Sequence, residues 1–365
     1  MHKILVIGTG TIGGPLIGLL SDFCHITNTE IYFHKRTPLL DETAKVNRLI
    51  SRGAKLVVDE KNEPAFKKLG HKVTIVGLEN AIEQSDVVID CTPAGNENKK
   101  LYRKWAHGPT AVSPNGIVRK FIAQGSEKGF GVPYAYGIVP YEKIKNNSFV
   151  QVVSCNTHNI AALINTLAPN SHQLLNGDFT CIRRANDISQ DGGFVASPSV
   201  GEHSDERYGT HHAADVARLF GEDMRIFSSA MKLNTQYMHT IRFNLTLKRE
   251  RGVNMQKKDV IQKLEDNPLI GLTHRTSANR VFSFGRNHGY YGRILNQTVV
   301  SLPTLHVSNG VFTNQASARV TGFCFTPQDG NSLLSSIAAA LVTIKGEEYE
   351  NYIKGVYLDM VFPTI

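Results

Sequence analysis

The run Gly8-Thr-Gly10-Thr-Ile-Gly13 follows a short apolar segment, Lys3-Ile-Leu-Val-Ile7, and opens an apolar stretch through Leu20. Alone, Gly-x-Gly-x-x-Gly is weak. Between a strand and a helix it dictates a tight turn where backbone can approach a pyrophosphate resting on the helix N-terminus. No other feature constrains the fold as much. It calls for an α/β architecture with an N-terminal Rossmann domain, a doubly wound parallel sheet that binds a dinucleotide.

The rest of the first part agrees. Strand-like runs at 30–33, 72–76, 86–90 and 117–123 alternate with helical stretches such as 41–52, the pattern of a parallel sheet. Past residue 155 the runs lie closer together, at 179–183, 225–233, 239–247, 280–284, 298–302 and 310–313. They predict a second, α+β domain on a mostly antiparallel sheet. A chain of 365 residues exceeds one small core, so two domains are expected. We place the dinucleotide-binding domain at 1–154 and the catalytic domain at 155–328. A helix within 329–365, centred on 332–341, is expected to pack back on the first domain. The Ser/Pro/Gly-rich stretch 197–209 reads as a long loop, and loops of that length are often functional.

Charge narrows the partners. The net charge is +8, but the basic residues are dispersed, with no dense stripe and no basic-aromatic alternation. Nucleic acid is therefore not expected, and an enzyme handling several phosphates uses positive charge equally well. No run of 18 or more apolar residues exists, which leaves no conventional membrane span. The five cysteines are scattered without Cys-x-x-Cys, which argues against a disulfide framework or a zinc site and for a reducing cytoplasm.

Cofactor choice is read about twenty residues past the fingerprint, where a carboxylate would bond the ribose 2′-hydroxyl of NAD. Here the second strand ends in Phe33-His34-Lys35-Arg36, with no carboxylate before Asp41. Lys35 and Arg36 suit a 2′-phosphate, so NADP is favoured over NAD. Gly8, Gly10 and Gly13 would hold the pyrophosphate. Thr92-Pro-Ala-Gly95 and Gln124-Gly125 follow strands and would line the same cleft.

Cys155 stands at the end of a β-branched run and the start of a helix expected over 158–167, flanked by the cap-type residues Ser154 and Asn156-Thr157. The positive pole of a helix lowers a thiol pKa, which makes Cys155 the candidate nucleophile. Cys24, Cys91, Cys181 and Cys324 lie in apolar or strand contexts and read as inert. A thiolate can hold an aldehyde as a thiohemiacetal, lose hydride to nicotinamide and pass the acyl group on from a thioester. That scheme calls for a base, with His211, His212 and His239 as candidates, and for cations such as Arg183-Arg184 to bind phosphate.

The segments Gly8–Gly13, Asp90-Cys-Thr-Pro-Ala-Gly95, Val152-Val-Ser-Cys155-Asn-Thr157, Ile182-Arg-Arg-Ala185, Thr210-His-His-Ala-Ala-Asp-Val216 and Met231-Lys-Leu-Asn-Thr235 through His239 occur in one order. In that order they resemble the archaeal-type (type II) phosphorylating glyceraldehyde-3-phosphate dehydrogenases. Ser126 and Asn234 depart from the family pattern. The resemblance implies Cys155 as nucleophile and His239 as base. It implies substrate contacts from Ser154, Asn156, His211 and His212, and cofactor contacts from Thr11, Ile12, Gly125, Arg184 and Gln315. It further implies glyceraldehyde 3-phosphate and inorganic phosphate as substrates, NADP or NAD as cofactor, a role in glycolysis or gluconeogenesis, and a cytoplasmic homotetramer. A related semialdehyde or acyl-phosphate reductase would use the same chemistry. A regulatory protein that kept the fold and lost turnover would not be inactivated by alkylation of Cys155.

Overall fold

Short β-branched runs that are apolar on both faces need cover on both sides, which a parallel sheet with crossover helices provides. The computed structural model describes residues 1–125, 127–187, 190, 192–221, 223–250, 252–310, 316–327 and 330–365. The chain forms two units. Unit 1 comprises Met1–Tyr136, Pro140–Val152 and Leu333–Val356. Unit 2 comprises Gly137–Val139, Val153–Ser332 and Tyr357–Ile365.

Unit 1 opens with β1 (His2–Ile7), α1 (Gly13–Asp22), α2 (Cys24–Thr27), β2 (Thr29–His34), α3 (Thr43–Ser51) and β3 (Lys55–Val58). Then come α4 (Glu63–Lys68), β4 (Val73–Val76), α5 (Leu78–Gln84), β5 (Val87–Asp90) and α6 (Gly95–Tyr102). The sheet is completed by β6 (Lys120–Gln124), β7 (Val132–Tyr134), the short α7 (Glu142–Lys145) and β8 (Phe149–Val152). Eight strands run in the order β4-β3-β2-β1-β5-β6-β8-β7, every pairing parallel. From β1 the chain winds outward through β2, β3 and β4, then returns to place β5 on the other side of β1. The strand order thus reverses at β1 and β5, where such folds bind ligands at the C-terminal strand ends. On one face Leu5, Val88, Phe121 and Phe130 form a buried cluster. There Phe121 stacks between Tyr102 and Phe149, at ring distances of 4.9 and 5.4 Å.

Unit 2 holds α8 (Cys155–Leu167), β9 (Leu174–Arg183), β10 (Ser199–Val200), α9 (His211–Phe220), β11 (Ile226–Lys232) and β12 (His239–Lys248). It continues with α10 (Lys257–Glu265), β13 (Ile270–Thr273), α11 (Ala278–His288), β14 (Thr298–Ser301), β15 (His306–Asn309) and β16 (Ser317–Thr326). The strand order is β10-β11-β9-β12-β16-β14-β13, with β15 also on β16. This sheet is mixed: β9/β11 and β13/β14 are parallel, and the other pairings among the described residues are antiparallel.

The strand expected at 280–284 is instead part of α11. Its buried residues, Val281 and Gly285, are four apart, so one helical face packs inward and overrides the local β preference of Val-Phe-Ser-Phe. The run expected at 310–313 falls largely outside the described residues.

The last helices are α12 (Asn331–Lys345) and α13 (Tyr349–Tyr352). From Leu333 on, α12 belongs to unit 1. There Ser336 Oγ accepts from Gln124 Nε2 at 2.7 Å, and Ser335 Oγ accepts from the Tyr136 amide at 3.0 Å. The final residues bond within unit 2, where Leu272 N–H donates to Pro363 at 2.9 Å and Ile365 N–H to Leu272 at 2.8 Å. Among the described residues no helix is long and apolar enough to cross a membrane.

Candidate active site

The fingerprint loop is shaped by its glycines. Gly8 has φ +94°, a conformation that side chains disfavour. A Cβ on Gly13 would lie 2.1 Å from the Gly8 carbonyl oxygen, so α1 can approach β1 only with glycine there. A Cβ on Gly10 would meet nothing within 4 Å. The space over the first turn of α1 is open, and no side chain caps that helix at its N-cap residue Ile12. The open space beside Gly10 and the positive pole of a helix that no side chain caps together fit a pyrophosphate.

Across the switch point, Asp90 at the end of β5 builds the next turn. Its buried carboxylate accepts from Thr92 N–H (2.9 Å), Thr92 Oγ1 (2.7 Å), Asn98 Nδ2 (2.8 Å) and Tyr102 Oη (2.7 Å). These bonds fix the Thr92–Gly95 segment. Gly125, after β6, has φ +71°; its amide donates to Val152 at 2.9 Å and its carbonyl accepts from Gln151 Nε2 at 2.9 Å. The residues Ser126 and Gln315 lie outside the described residues.

The end of β2 differs from the expectation of unopposed cations. Lys35 is buried and its ammonium is bonded to the Glu42 carboxylate, which also accepts from Lys45 Nζ at 2.9 Å. Burial pushes the Glu42 carboxyl up, and the bonds from the two lysines more than offset it, so its pKa is lowered. Beside it, His34 Nε2 lies 3.0 Å from Asp59 Oδ1. Arg36 is exposed. Counting along the sequence found no carboxylate here, yet the fold returns two, Glu42 from a 3₁₀ turn (Leu40–Glu42) and Asp59 from the end of β3.

In unit 2, α8 begins at Cys155, three residues earlier than periodicity predicts, because Ser154 takes the N-cap. Ser154 Oγ accepts from Thr157 N–H at 3.4 Å and lies 2.8 Å from Thr157 Oγ1. Cys155 is the first helical residue and is partly exposed, whereas Cys181 and Cys324 are buried. Burial pushes the Cys181 thiol far up and the Cys324 thiol up to about 12. A polar network stands behind Cys155. Its carbonyl accepts from Asn331 Nδ2 at 2.9 Å, and Asn156 Oδ1 accepts from Thr326 Oγ1 at 3.1 Å. Thr326 in turn accepts from Asn159 Nδ2 at 2.9 Å. No sequence signal marked Thr326, Asn159 or Asn331, which register and packing bring to the site.

His239 is the first residue of β12 and stands opposite Thr326 in the antiparallel register, the residue whose hydroxyl bonds Asn156. His239 is buried, and its Nδ1 accepts from the Arg184 backbone N–H at 3.0 Å. Burial, then Arg184 and Arg183, push its pKa down to about 3. The ring is therefore neutral at ordinary pH. With Nδ1 accepting, the ring proton must sit on Nε2, so His239 presents a donor there rather than a lone pair. The Arg184 guanidinium is itself buried and donates to Asp187 Oδ1 at 2.8 Å.

His211 and His212 open α9, their rings 3.9 Å apart, and α9 packs on α8 and β11. Ser228 Oγ accepts from Ala213 N–H at 3.0 Å and so supplies from β11 the cap that Thr210 does not give.

No family model matches the chain. It is 31% identical over 257 residues to glyceraldehyde-3-phosphate dehydrogenase 2 of Methanosarcina acetivorans, covering 68% of each chain. The chain belongs to the glyceraldehyde-3-phosphate dehydrogenase family. Other members align over more of it: that of Archaeoglobus fulgidus is 28% identical over 307 residues, 78% of each chain. That of Sulfolobus acidocaldarius is 26% identical over 276 residues, 72% of this chain and 73% of the relative. These glyceraldehyde-3-phosphate dehydrogenases are archaeal, which agrees with the family read from the motifs.

Proposed function

We propose that the protein catalyses the reversible phosphorylating oxidation of glyceraldehyde 3-phosphate to 1,3-bisphosphoglycerate with a nicotinamide dinucleotide, through a covalent adduct on Cys155. The observation that carries this is a partly exposed thiol on the first residue of a capped helix, in the same unit as a neutral, oriented imidazole that stands opposite Thr326, the partner of Asn156.

The first amides of α8 favour the Cys155 thiolate, which attacks the aldehyde carbon. The carbonyl π electrons move to oxygen and give a thiohemiacetal oxyanion. His239 donates its Nε2–H to that oxygen. This replaces the role of base expected from the sequence, and no base is needed, since the oxyanion carries no proton to remove. The nicotinamide ring, when bound, supplies the hydride acceptor that converts the adduct to a thioester. Inorganic phosphate then attacks the acyl carbon, the Cys155 thiolate departs, and the phosphate proton passes to solvent. His211 and His212 at the N-terminus of α9, with Arg183, favour the anionic groups of substrate and phosphate. Ser154 and Asn156, on either side of Cys155, would contact the substrate, and the Ser154 cap also fixes the start of α8.

For the cofactor, Gly8, Gly10, Gly13, Thr11 and Ile12 would hold the pyrophosphate, and Thr92–Gly95 and Gly125 would line the cleft. Arg36 is the exposed cation for a 2′-phosphate and Lys35 the buried one beside it, which supports NADP as the preferred cofactor with NAD as alternative. Arg184 and Gln315 carry the resemblance's remaining cofactor roles. The chain is proposed to act as a cytoplasmic homotetramer. Its exposed Phe194 (93%) and Val200 (82%) offer apolar surface for subunit contact. The test is formation of reduced cofactor from glyceraldehyde 3-phosphate with and without inorganic phosphate. Phosphate-dependent absorbance is expected, and a rate independent of phosphate would refute the acyl-transfer step.

A further inference from the structure

In the cluster Lys35–Glu42–Lys45, which borders the cofactor cradle, Lys35 alone has a role above, and Glu42 and Lys45 have none. The stem of Lys45 approaches the first turn of α1, its Cε 3.6 Å from where a Cβ on Gly14 would lie. Its ammonium is bonded to Glu42 Oε1, while Glu42 Oε2 holds the buried ammonium of Lys35 at the end of β2. One carboxylate thus ties together a cation at the ribose end and a cation beside the pyrophosphate turn. All these residues lie in unit 1.

We propose that Glu42 is the cofactor-selectivity residue: it neutralises half the charge of Lys35 and Lys45 and so limits how strongly the site prefers a 2′-phosphorylated dinucleotide. This rests on the dinucleotide reading of the fingerprint. The physical reason is competition. A 2′-phosphate carries about two negative charges, and it must either share the lysines with Glu42 or face its carboxylate. A 2′-hydroxyl carries no charge and can donate to that carboxylate, so Glu42 favours NAD and opposes NADP. Lys35 is buried, so losing the carboxylate costs some stability, but Glu42→Gln keeps the size and an amide oxygen that can still accept from the lysines.

The experiment is calorimetric titration of NADP and NAD into the full chain, wild type and Glu42→Gln. The substitution should tighten NADP about tenfold and weaken NAD by no more than about threefold, since the glutamine carbonyl still accepts from a 2′-hydroxyl, and the NADP gain should shrink in high salt. A ratio of the two affinities unchanged within twofold, or shifted towards NAD, overturns the proposal. If Glu42→Gln does not fold, Lys45→Met decides. NADP should weaken several-fold more than NAD, and equal effects on both overturn the proposal. Wild-type protein that binds neither cofactor refutes the dinucleotide reading itself, a result distinct from an unchanged ratio.

Discussion

Two helix N-termini, one in each unit, are finished in opposite ways. At α1 side chains have been removed: Gly8, Gly10 and Gly13 leave open backbone, and no side chain caps the helix. At α8 side chains have been added: Ser154 caps, Cys155, the proposed nucleophile, follows it, and Thr326, Asn159 and Asn331 secure the turn from behind. Both exploit the same positive pole. A bulky anion needs room and many equivalent amides, whereas a nucleophile needs one atom held in one place. The first kind of site depends on residues adjacent in sequence, the second on residues far from it.

The largest expected effect tests the built-up terminus. Cys155→Ser should lower dehydrogenase turnover by about 10³-fold or more while cofactor affinity, measured by calorimetry, stays within about twofold. Residual activity above about a tenth of wild type would remove Cys155 from the mechanism.

The next test separates donor from base. His239→Ala should lower kcat by about 10²- to 10³-fold, the usual cost of losing one oxyanion donor, and His239→Asn, which keeps an N–H, should recover part of it. Because the pKa of His239 lies near 3, no limb from this residue should appear in kcat between pH 5 and 8. Equal losses in both variants with a limb near neutrality would restore the base.

The pared-down terminus is tested by its glycines. Gly13→Ala should destabilise unit 1 by roughly 3 kcal/mol or more, since its Cβ would overlap the Gly8 carbonyl. Gly10→Ala should leave stability within about 0.5 kcal/mol and weaken the cofactor instead. Denaturant melts and calorimetry on both variants check this, and a reversed pattern would make Gly10 the structural residue.

The smallest effect is acid sensitivity. His158 is fully buried with its Nδ1–H on the Ser154 carbonyl (3.0 Å), and burial pushes its pKa down to about 4. For His158 and His239 the unfolded chain binds a proton near pH 6.5 that the folded chain refuses. Their stabilisation is therefore complete above about pH 6.5 and falls as pH drops towards 4 and 3. From pH 7 to 5 each should cost unit 2 about 2 kcal/mol. His158→Gln should remove its share of that slope, and an unchanged slope would contradict the buried neutral ring.

Much of this was legible in the chain. The fingerprint, the parallel alternation of unit 1 and the strand-to-helix junction at Cys155 all depend on contiguous residues, so periodicity and glycine spacing expose them. The errors share a cause. Residues 280–284 have β-branched and aromatic character, but burial of Val281 and Gly285 on one face made them helical. Lys35 looked like an unopposed cation because Glu42 and Asp59 reach it and His34 only through the fold.

The sequence by itself determined the fold class, the candidate nucleophile and the family, because each follows from local pattern. Tertiary structure alone decided the chemistry around them. The register sets His239 opposite Thr326, whose hydroxyl bonds Asn156, and the Arg184 amide fixes which ring nitrogen holds the proton. The turn that folds Glu42 onto Lys35 decides how much charge the cofactor end presents. Protonation state and effective charge depend on burial and on partners distant in sequence, and only the folded chain brings these together.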